Sequence, residues 1–437
     1  MTVWIALMFL SLMLMLMLGY PVAFTLGAIA LLFGGIFLGF DFFHLLPLRI
    51  WGVMTNFTLL AVPLFIFMGI VLDKSGLAED LLETMGLLFG RLRGGLAVSV
   101  VVVGALLAAT TGVVGATVVT MGIIALPTML RRNYSRQLST GTIAAAGTLG
   151  QIIPPSIVLI LLGDVMGVPV GRLFIGAVVP GVLLVVLFLI YISVYAWLKP
   201  EVAPAVTAET DEHILRKVLL TLLPPLILVV GVLGSIFFGI ASPTESAAVG
   251  ALGALVLAAL HRQLTLDRLR EAMRLTTRLT SMVFLILIGA TAFGLVFRGM
   301  GGDRLVLDVM TSLPGGTLGF LIASMVMIFL LGFFLDFLQI CFIVVPILSP
   351  IAAALGVDLL WLAVLIAINL QTSFLTPPFG FSLFYLKAVA PKEIRIQHIY
   401  QGIIPFISIQ VVTIILLCLF PILVTWLPDL MDMMQGL

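Results

Sequence analysis

Two stretches decide the fold: residues 147–161, GTLGQIIPPSIVLIL, and residues 369–386, NLQTSFLTPPFGFSLFYL. Each carries two adjacent prolines inside an apolar run. The first proline of the second pair, Pro377, follows that of the first pair, Pro154, by 223 residues, and Pro127 and Pro350 keep the same separation. Two long repeats whose apolar helices are interrupted at matching places are typical of secondary transporters, in which the site lies where the repeats meet.

The composition indicates that the lipid bilayer is the solvent of this chain. Apolar residues make up 62% of the 437 residues and charged residues 9%, which leaves too little polar surface for a water-soluble fold. Apolar runs of spanning length recur, for example 22–40, 173–197 and 403–427, and they lack the alternation of barrel strands. We therefore predict an all-α polytopic membrane protein, with Cys341 and Cys418 as buried thiols and no nucleic acid as a partner.

The matching landmarks predict two repeats, residues 1–198 and 218–437, joined by a polar cytoplasmic linker at residues 199–217. Each repeat has one re-entrant helical hairpin and five spanning helices, one of which is broken at the proline pair. A hairpin returns to the side from which it came, so the odd number of spans orients the repeats oppositely in the membrane. The predicted places are about 96–130 and 318–354 for the hairpins, and about 138–165 and 359–388 for the broken helices.

The positive charges support this inverted arrangement independently. The loop after the first hairpin, RRNYSR at residues 131–136, is basic, whereas its counterpart, AAALGVD at residues 352–358, carries no positive charge. If the amino terminus is outside, nearly all lysines and arginines fall on cytoplasmic ends. The basic amphipathic stretch at 261–278 then lies on the inner leaflet or forms a solvated connecting helix. Four arginines are exceptions to the cytoplasmic placement of positive charge and fall on the outer side: Arg49, Arg172, Arg298 and Arg304.

The proline pairs suggest cation sites. Proline lacks the backbone N–H, so each pair frees carbonyl oxygens inside the membrane, and such oxygens are tolerated only where something else satisfies them. Hydroxyl, amide and carbonyl oxygens suit hard cations. A plain kinked helix is the alternative, and it explains one pair better than two matching pairs. The expected cation ligands are Thr148, Gly150 and Pro154 in the first repeat, and Asn369, Thr372, Thr376 and Pro377 in the second.

Asp336 lies well inside the apolar run FLLGFFLDFLQICFIVV at residues 329–345. A carboxylate there costs several kcal/mol unless it is paired or binds an ion, although a wet hairpin tip would also explain it. The half-helices that start after each hairpin turn and each proline pair present free N–H groups that suit a carboxylate. We therefore expect substrate contacts at Gln339, Ser156 and Thr111.

The longest motifs resemble the large membrane subunit of tripartite ATP-independent periplasmic (TRAP) transporters, and the resemblance covers essentially the whole chain. They are GTLGQIIPPSIVL (147–159), TGVVGATVVTMGIIALPTMLRRNY (111–134), SPTESAAVGA (242–251) and FFLDFLQICFIVVPILSPIAAALGVD (333–358), followed by the second proline-pair stretch.

The resemblance implies a sodium-driven importer of organic acids in the bacterial inner membrane. It would work with a small four-helix membrane subunit and a periplasmic substrate-binding protein, and it would move a transport region against a scaffold like an elevator. The implied cation sites are Gly112, Thr117, Gly150 and Pro154 for the first, and Asp336, Asn369, Thr372 and Pro377 for the second.

Three other classes remain open. A stand-alone sodium/dicarboxylate symporter needs no partner proteins, and a structural or proton-channel subunit transports no organic acid. An intramembrane hydrolase is the third, but the sequence has no serine, histidine and acid set, no zinc-spaced histidines and no phosphate-binding loop. We therefore expect no enzyme, no transition metal, and no cofactor beyond sodium as the coupling ion.

Overall fold

The computed structural model describes residues 2–112, 114–205, 214–312, 314–378 and 380–435. Every regular element in these ranges is a helix, which confirms the predicted all-α fold class.

The first half of the described chain contains ten α-helices. Their bounds are α1 (Thr2–Met17), α2 (Val22–Phe37), α3 (Leu46–Met54), α4 (Ala61–Lys74), α5 (Leu77–Phe89), α6 (Gly95–Thr111), α7 (Val114–Arg131), α8 (Arg136–Thr148), α9 (Ile157–Met166) and α10 (Val170–Leu198).

The second half of the described chain contains eleven. Their bounds are α11 (Ile214–Phe237), α12 (Pro243–Leu260), α13 (Leu266–Gly299), α14 (Gly302–Thr311), α15 (Thr317–Leu331), the single turn α16 (Phe337–Gln339), α17 (Val345–Ala354), α18 (Leu359–Leu375), α19 (Phe381–Val389), α20 (Ile396–Leu419) and α21 (Ile422–Gln435).

Both halves contain the same parts in the same order. Two apolar helices are followed by a third unit, a short helix, a helical hairpin, a broken helix and a long last helix. The short helices α5 and α14 both start after a glycine in the left-handed conformation, Gly76 with φ 78° and Gly301 with φ 80°. Glycine adopts this conformation without a steric penalty, so the turn geometry accounts for the matching residues.

The third unit differs between the halves. In the first half α3 and α4 meet at a 56° bend, whereas α13 is one continuous helix of 34 residues. At 1.5 Å per residue α13 is about 51 Å long, well beyond the ~30 Å hydrocarbon core. The basic amphipathic helix predicted at 261–278 is therefore no separate element, since most of it forms the first turns of a spanning helix.

The last apolar run was predicted as one span over residues 403–427, and this is wrong. Helix α20 ends at Leu419, and Phe420 adopts φ −128° and ψ 72° before α21 begins at Ile422. Pro421 explains the break, because a proline disfavours the helical conformation of the residue before it.

Seven described helices are long and apolar enough to span a membrane, and the bent α3–α4 unit, which includes the preceding 3₁₀ turn, raises the number to eight. The shorter apolar helices are α1, α2, α9, α18 and the first arms of the two hairpins. Two of the seven, Val114–Arg131 and Phe337–Ala354, are second arms of the hairpins. The ten predicted full spans are reached when these two arms are left out and when α1, α2 and each broken helix count as one span each.

Corresponding helices of each half pack against the other half. Helix α2 packs on α13 and α12 packs on α4, which are equivalent contacts if the two halves are related by a two-fold rotation. Similarly, α8 contacts α19, and α18 contacts α9. Each broken helix therefore completes the packing of the other, and the core of the molecule lies between them.

The linker is more than a polar connection. The backbone N–H of Gly94, just before α6, donates to Ala203 O over 3.0 Å, and that of Ser135, just before α8, donates to Val202 O over 2.8 Å. The first part of the linker thus ties both ends of the first hairpin together. Residues 206–213 of the predicted linker lie outside the described residues.

The prediction for the two cysteines holds for one of them. Cys341 is buried in the second hairpin, but Cys418 on α20 is exposed at the surface of the chain. An apolar run in a membrane helix has a face toward lipid, so residence in such a run does not imply burial within the protein.

Candidate functional site

The first helix break follows from the residues around Pro154. Helix α8 ends at Thr148, a 3₁₀ turn covers Leu149–Gln151, and α9 starts only at Ile157, after a cis bond between Pro154 and Pro155. Ser156 closes part of this break, because its hydroxyl donates a 2.9 Å hydrogen bond to Gln151 O.

The second break closes in the same way. The Ser382 hydroxyl donates a 2.9 Å hydrogen bond to Phe374 O, and Phe374 is 223 residues after Gln151. The Pro377–Pro378 bond is also cis. One carbonyl at each break is thus already satisfied, so any cation must take its ligands from the neighbouring oxygens rather than from these two.

The first hairpin, α6 and α7, meets the first break at its tip. Gly112 turns the chain with φ 59°, and a Cβ added there would lie 3.5 Å from Ile157 N, the start of α9. Gly150 faces the same hairpin, since its Cβ would lie 3.5 Å from Ala108 O. Small residues on both sides therefore let the backbones approach closely.

The predicted ligands of the first site come together around these contacts. Gly147 lies against the main chain of Val118, which brings Thr117 on α7 and Thr148 on α8 to the same level. Both threonines are buried, as are Gly150 and Pro154. The Thr148 hydroxyl donates to Ala145 O over 2.8 Å, so its oxygen can act only as an acceptor toward other groups.

The second hairpin consists of α15, the turn α16, a π-helix over Ile340–Val344 and α17. Asp336 is the N-cap of α16 and accepts a 2.7 Å hydrogen bond from the Phe337 N–H. The Phe337 ring lies 6.2 Å, between centroids, from that of Phe374 on α18. The half-buried Asp336 carboxylate is thus held at the hairpin tip, next to the second break.

The ligands predicted on α18 and at its C-cap, Thr376, have their protons engaged elsewhere. Asn369 Nδ2 donates to Met325 O over 2.7 Å, which fixes the amide against the first arm of the hairpin. The Thr372 hydroxyl donates to Ile368 O over 2.8 Å, and the Thr376 hydroxyl to Thr372 O over 2.7 Å. Because every proton is used, the side-chain oxygens are left as acceptors. Pro377, the remaining predicted ligand of the second site, comes directly after Thr376 in the chain.

The three predicted substrate residues are placed differently from one another. Gln339 is half-buried at the tip of the second hairpin, one turn from Asp336. Ser156 is fully buried, and its hydroxyl donates to Gln151 O within the helix break. Thr111 ends α6, and its side chain lies outside the described part of the structure.

Buried glutamines between the breaks were not predicted from the sequence. Gln371 on α18 donates through Nε2 to Thr148 Oγ1 over 3.3 Å, while its Oε1 has no partner among the described residues. Both amide atoms of the fully buried Gln151 likewise lack a partner there. Orphan polar atoms in a core are rare and call for water or an ion.

A third glutamine belongs to the same region. Helices α18 and α20 pack together and run antiparallel, because Trp361 near the start of α18 donates through Nε1 to Leu417 O near the end of α20. Seven residues back along α20 from Leu417, Gln410 therefore lies within about one helical turn of the level of Gln371. Both of its buried amide atoms lack a partner among the described residues.

Two more carboxylates, both half-buried, lie on apolar helices, so Asp336 is not the only acidic residue within an apolar segment. Asp164 on α9 accepts a 2.5 Å hydrogen bond from Asn56 Nδ2, at the bend between α3 and α4. Asp73 near the end of α4 accepts a 3.1 Å hydrogen bond from Thr120 on α7. Both bonds join the α3–α4 unit to elements around the helix breaks.

A cavity of about 1120 Å³ lies between α3, α13 and the second hairpin. Its walls include Phe342 and Ile343 of the π-helix, and the Asn56–Asp164 pair. None of the predicted site residues lines it. Phe342 is six residues beyond Asp336, so the cavity ends roughly 9 Å short of the hairpin tip along the helix.

Two helical hairpins whose tips abut two broken helices, in a chain of apolar spans, define a multi-pass membrane transport protein. The sequence model of the tripartite ATP-independent periplasmic transporter, DctM component, matches residues 9–423. This chain therefore belongs to that family, whose members are large permease subunits of the bacterial inner membrane.

Two curated relatives cover nearly the whole chain. The C4-dicarboxylate TRAP transporter large permease protein of Pseudomonas aeruginosa is 32% identical over 89% of this chain and 90% of its own length. The ectoine TRAP transporter large permease protein of Halomonas elongata is 30% identical over 95% of this chain and 97% of its own. Their names indicate that the family carries different small organic compounds.

A solved structure shares the fold. The YdaH transporter of Alcanivorax borkumensis, described as having an unusual topology, superposes with a TM-score of 0.65 over 95% of this chain and 98% of that one. The sequence identity is 14%, so the likeness concerns the fold alone.

Proposed function

We propose that this large permease imports an organic acid by sodium-coupled symport. The observation that carries the proposal is the repeated contact between a hairpin tip and a helix break, Gly112 against Ile157 in one half and Phe337 against Phe374 in the other. Each contact gathers oxygen atoms, and the hydroxyl protons of Thr148, Thr372 and Thr376 are used in hydrogen bonds within their own helices. Neutral oxygens with at most one carboxylate suit a monovalent hard cation better than a transition metal.

The two sites differ in charge. The second contains the Asp336 carboxylate, whereas Thr117, Thr148 and main-chain oxygens supply the first. The unpaired amide oxygens of Gln151 and Gln371 lie between them. We propose that water or the coupling ion satisfies these oxygens during the cycle, since leaving each unsatisfied costs about 1–3 kcal/mol.

The reciprocal contacts between corresponding helices of the two halves support two inverted repeats. A two-fold relation is consistent with α2 on α13 and α12 on α4, and the contrast between the basic 131–136 loop and the uncharged 352–358 loop favours an axis in the membrane plane. The first hairpin would then open to the cytoplasm and the second to the periplasm, with their tips at mid-membrane.

The substrate class is a carboxylate. One relative is named for C4-dicarboxylates and another for ectoine, and both compounds carry a carboxyl group. The free N–H groups at the starts of α9 and α19 would suit such a group. Partner proteins follow from the family, so we propose a small membrane subunit and a periplasmic binding protein as obligatory companions, and no enzymatic activity.

Reconstitution tests the proposal. The substrate is first identified by a thermal-shift screen of organic acids on the periplasmic binding protein that serves this permease. Proteoliposomes with the large permease, the small subunit and that binding protein should then accumulate it, and omission of either partner should abolish uptake. Saturable uptake by this chain alone would instead make it a stand-alone symporter.

A further inference from the structure

Three arginines from three helices line the large cavity: Arg49 on α3, Arg298 at the end of α13 and Arg304 on α14. All three are exposed, and no carboxylate among the described residues forms an ion pair with any of them. Three unpaired guanidinium groups around one cavity need an explanation, because like charges repel one another.

The fourth arginine predicted on the outer side behaves differently. Arg172 at the start of α10 pairs with Asp432 at 2.9 Å and with Asp429 at 3.5 Å, both on α21. Its charge is used within the fold. The contrast separates one structural arginine from three arginines whose charge is available to a ligand.

The acidic residues of the cavity do not cancel this charge. Asp303 and Asp164 are the two carboxylates in the lining, against three guanidinium groups. Asp303 accepts from the Arg304 backbone N–H over 3.0 Å, and Asp164 is bonded to Asn56. The cavity therefore carries a surplus positive charge within partly apolar walls, which focuses the field on an incoming anion.

The cavity leads toward the proposed transport site. Its inner wall is formed by Phe342 and Ile343, in the π-helix that directly follows the turn carrying Asp336 and Gln339. A small organic anion that enters from the side of the arginines would thus come within about two helical turns of the hairpin tip.

We propose that Arg49, Arg298 and Arg304 form a reception site on the periplasmic side, where the carboxylate of the arriving substrate is bound before it passes to the hairpin tip. Guanidinium groups suit this task because they bind carboxylates with two parallel hydrogen bonds and stay charged at any physiological pH. The inference rests on the proposed function for the identity of the anion, but the positive field of the cavity can be tested without it.

The field is measured with charged thiol reagents. Thr291 lines the cavity, so Thr291→Cys is made in a Cys341→Ala, Cys418→Ala background of the purified permease complex. The measured quantity is the rate of labelling by anionic sulfonatoethyl methanethiosulfonate divided by the rate of labelling by cationic trimethylammonioethyl methanethiosulfonate. We expect this relative rate to be higher when the three arginines are present than when Arg49, Arg298 and Arg304 are all changed to Gln. The relative rate should fall at least about threefold in that variant.

Arg172→Gln is the matched control and should leave the relative rate unchanged. If the triple variant folds poorly, Arg49→Gln alone should move the ratio in the same direction. A ratio that none of the three arginines affects would overturn the reception site.

Uptake separates this inference from the proposed function. With the substrate identified on the binding protein, the triple variant should need at least about threefold more substrate-loaded binding protein for half-maximal uptake, and the deficit should shrink as salt screens the charges. Wild-type values in the triple variant would overturn the inference and leave the function intact. Absence of any uptake by the wild-type complex would remove the function, while the labelling result would still decide whether the cavity attracts anions.

Discussion

Gln371 Nε2 donates a 3.3 Å hydrogen bond to Thr148 Oγ1, and these two residues are 223 positions apart in the chain, the same separation as Pro377 and Pro154. Residues at equivalent positions of two repeats can touch only close to the axis that relates the repeats. If a two-fold axis relates the two halves, the Gln371–Thr148 contact lies close to it, and this contact joins the two broken helices within the core.

The first prediction concerns Gln371. Gln371→Leu removes an unpaired Oε1, whose burial costs about 1–3 kcal/mol, and loses one hydrogen bond worth about 1 kcal/mol. We expect the thermal midpoint of the purified variant to stay equal or rise, while uptake falls at least about tenfold. The matched control is Gln401→Leu, at an exposed glutamine that bonds Gln137, and it should leave uptake unchanged. A stable Gln371→Leu variant with full uptake would remove this residue from the mechanism.

The second prediction separates the charge of Asp336 from its role as a helix cap. Asn caps a helix as well as Asp does, so Asp336→Asn keeps the bond from Phe337 but loses the negative charge. We expect folding to be preserved and transport to be lost. Asp358→Asn is the control, because Asp358 caps α18 through the N–H groups of Leu360 and Trp361. If both variants transport equally well, Asp336 serves only as a cap.

The third prediction tests the inversion of the repeats. Single cysteines at Arg132, just after the first hairpin, and at Ala353, in the last turn of the second, replace exposed residues. They should react with an impermeant thiol reagent only from the cytoplasm and only from the periplasm, respectively. Ala353 is preferable to Gly356, whose φ of 72° favours glycine. Cys341 and Cys418 are replaced beforehand. Labelling of both sites from one face would mean parallel repeats.

The fourth prediction follows from the Asn56–Asp164 bond, which joins the α3–α4 unit to α9. If α9 moves against that unit in each cycle, the bond must break. Cysteines at both positions, joined by a short bifunctional thiosulfonate, should abolish uptake, and reduction should restore it. Each single-cysteine variant treated in the same way is the control. Undiminished uptake by the cross-linked protein would exclude relative motion at this contact.

The helix breaks at the two proline pairs could be predicted because they depend on local chemistry. Pro154 and Pro377 interrupt apolar runs, and Gly112 ends a hairpin arm in a conformation that favours glycine. By contrast, the continuity of α13 depends on its packing against α2 and α4, which a basic amphipathic pattern does not reveal.

The unpredicted parts of the site depend on contacts between distant segments. Asn56 meets Asp164 across 108 residues, and Gln371 meets Thr148 across 223. The one available signal in the sequence was the constant separation of 223 residues between matching positions, which makes Gln371 the equivalent of Thr148. The same applies to Arg49, Arg298 and Arg304, which the charge pattern placed on the outer side but which only the fold brings to one cavity.

The coupling ion is the central claim, and uptake under controlled gradients tests it most directly. Proteoliposomes containing the complete complex are given an inward sodium gradient, with the membrane potential clamped at zero or at 100 mV, inside negative. If more sodium ions enter than there are substrate charges, each surplus charge adds about 2.3 kcal/mol, so accumulation should rise about 50-fold per charge at the higher potential. Uptake that persists unchanged when choline replaces sodium would contradict the account.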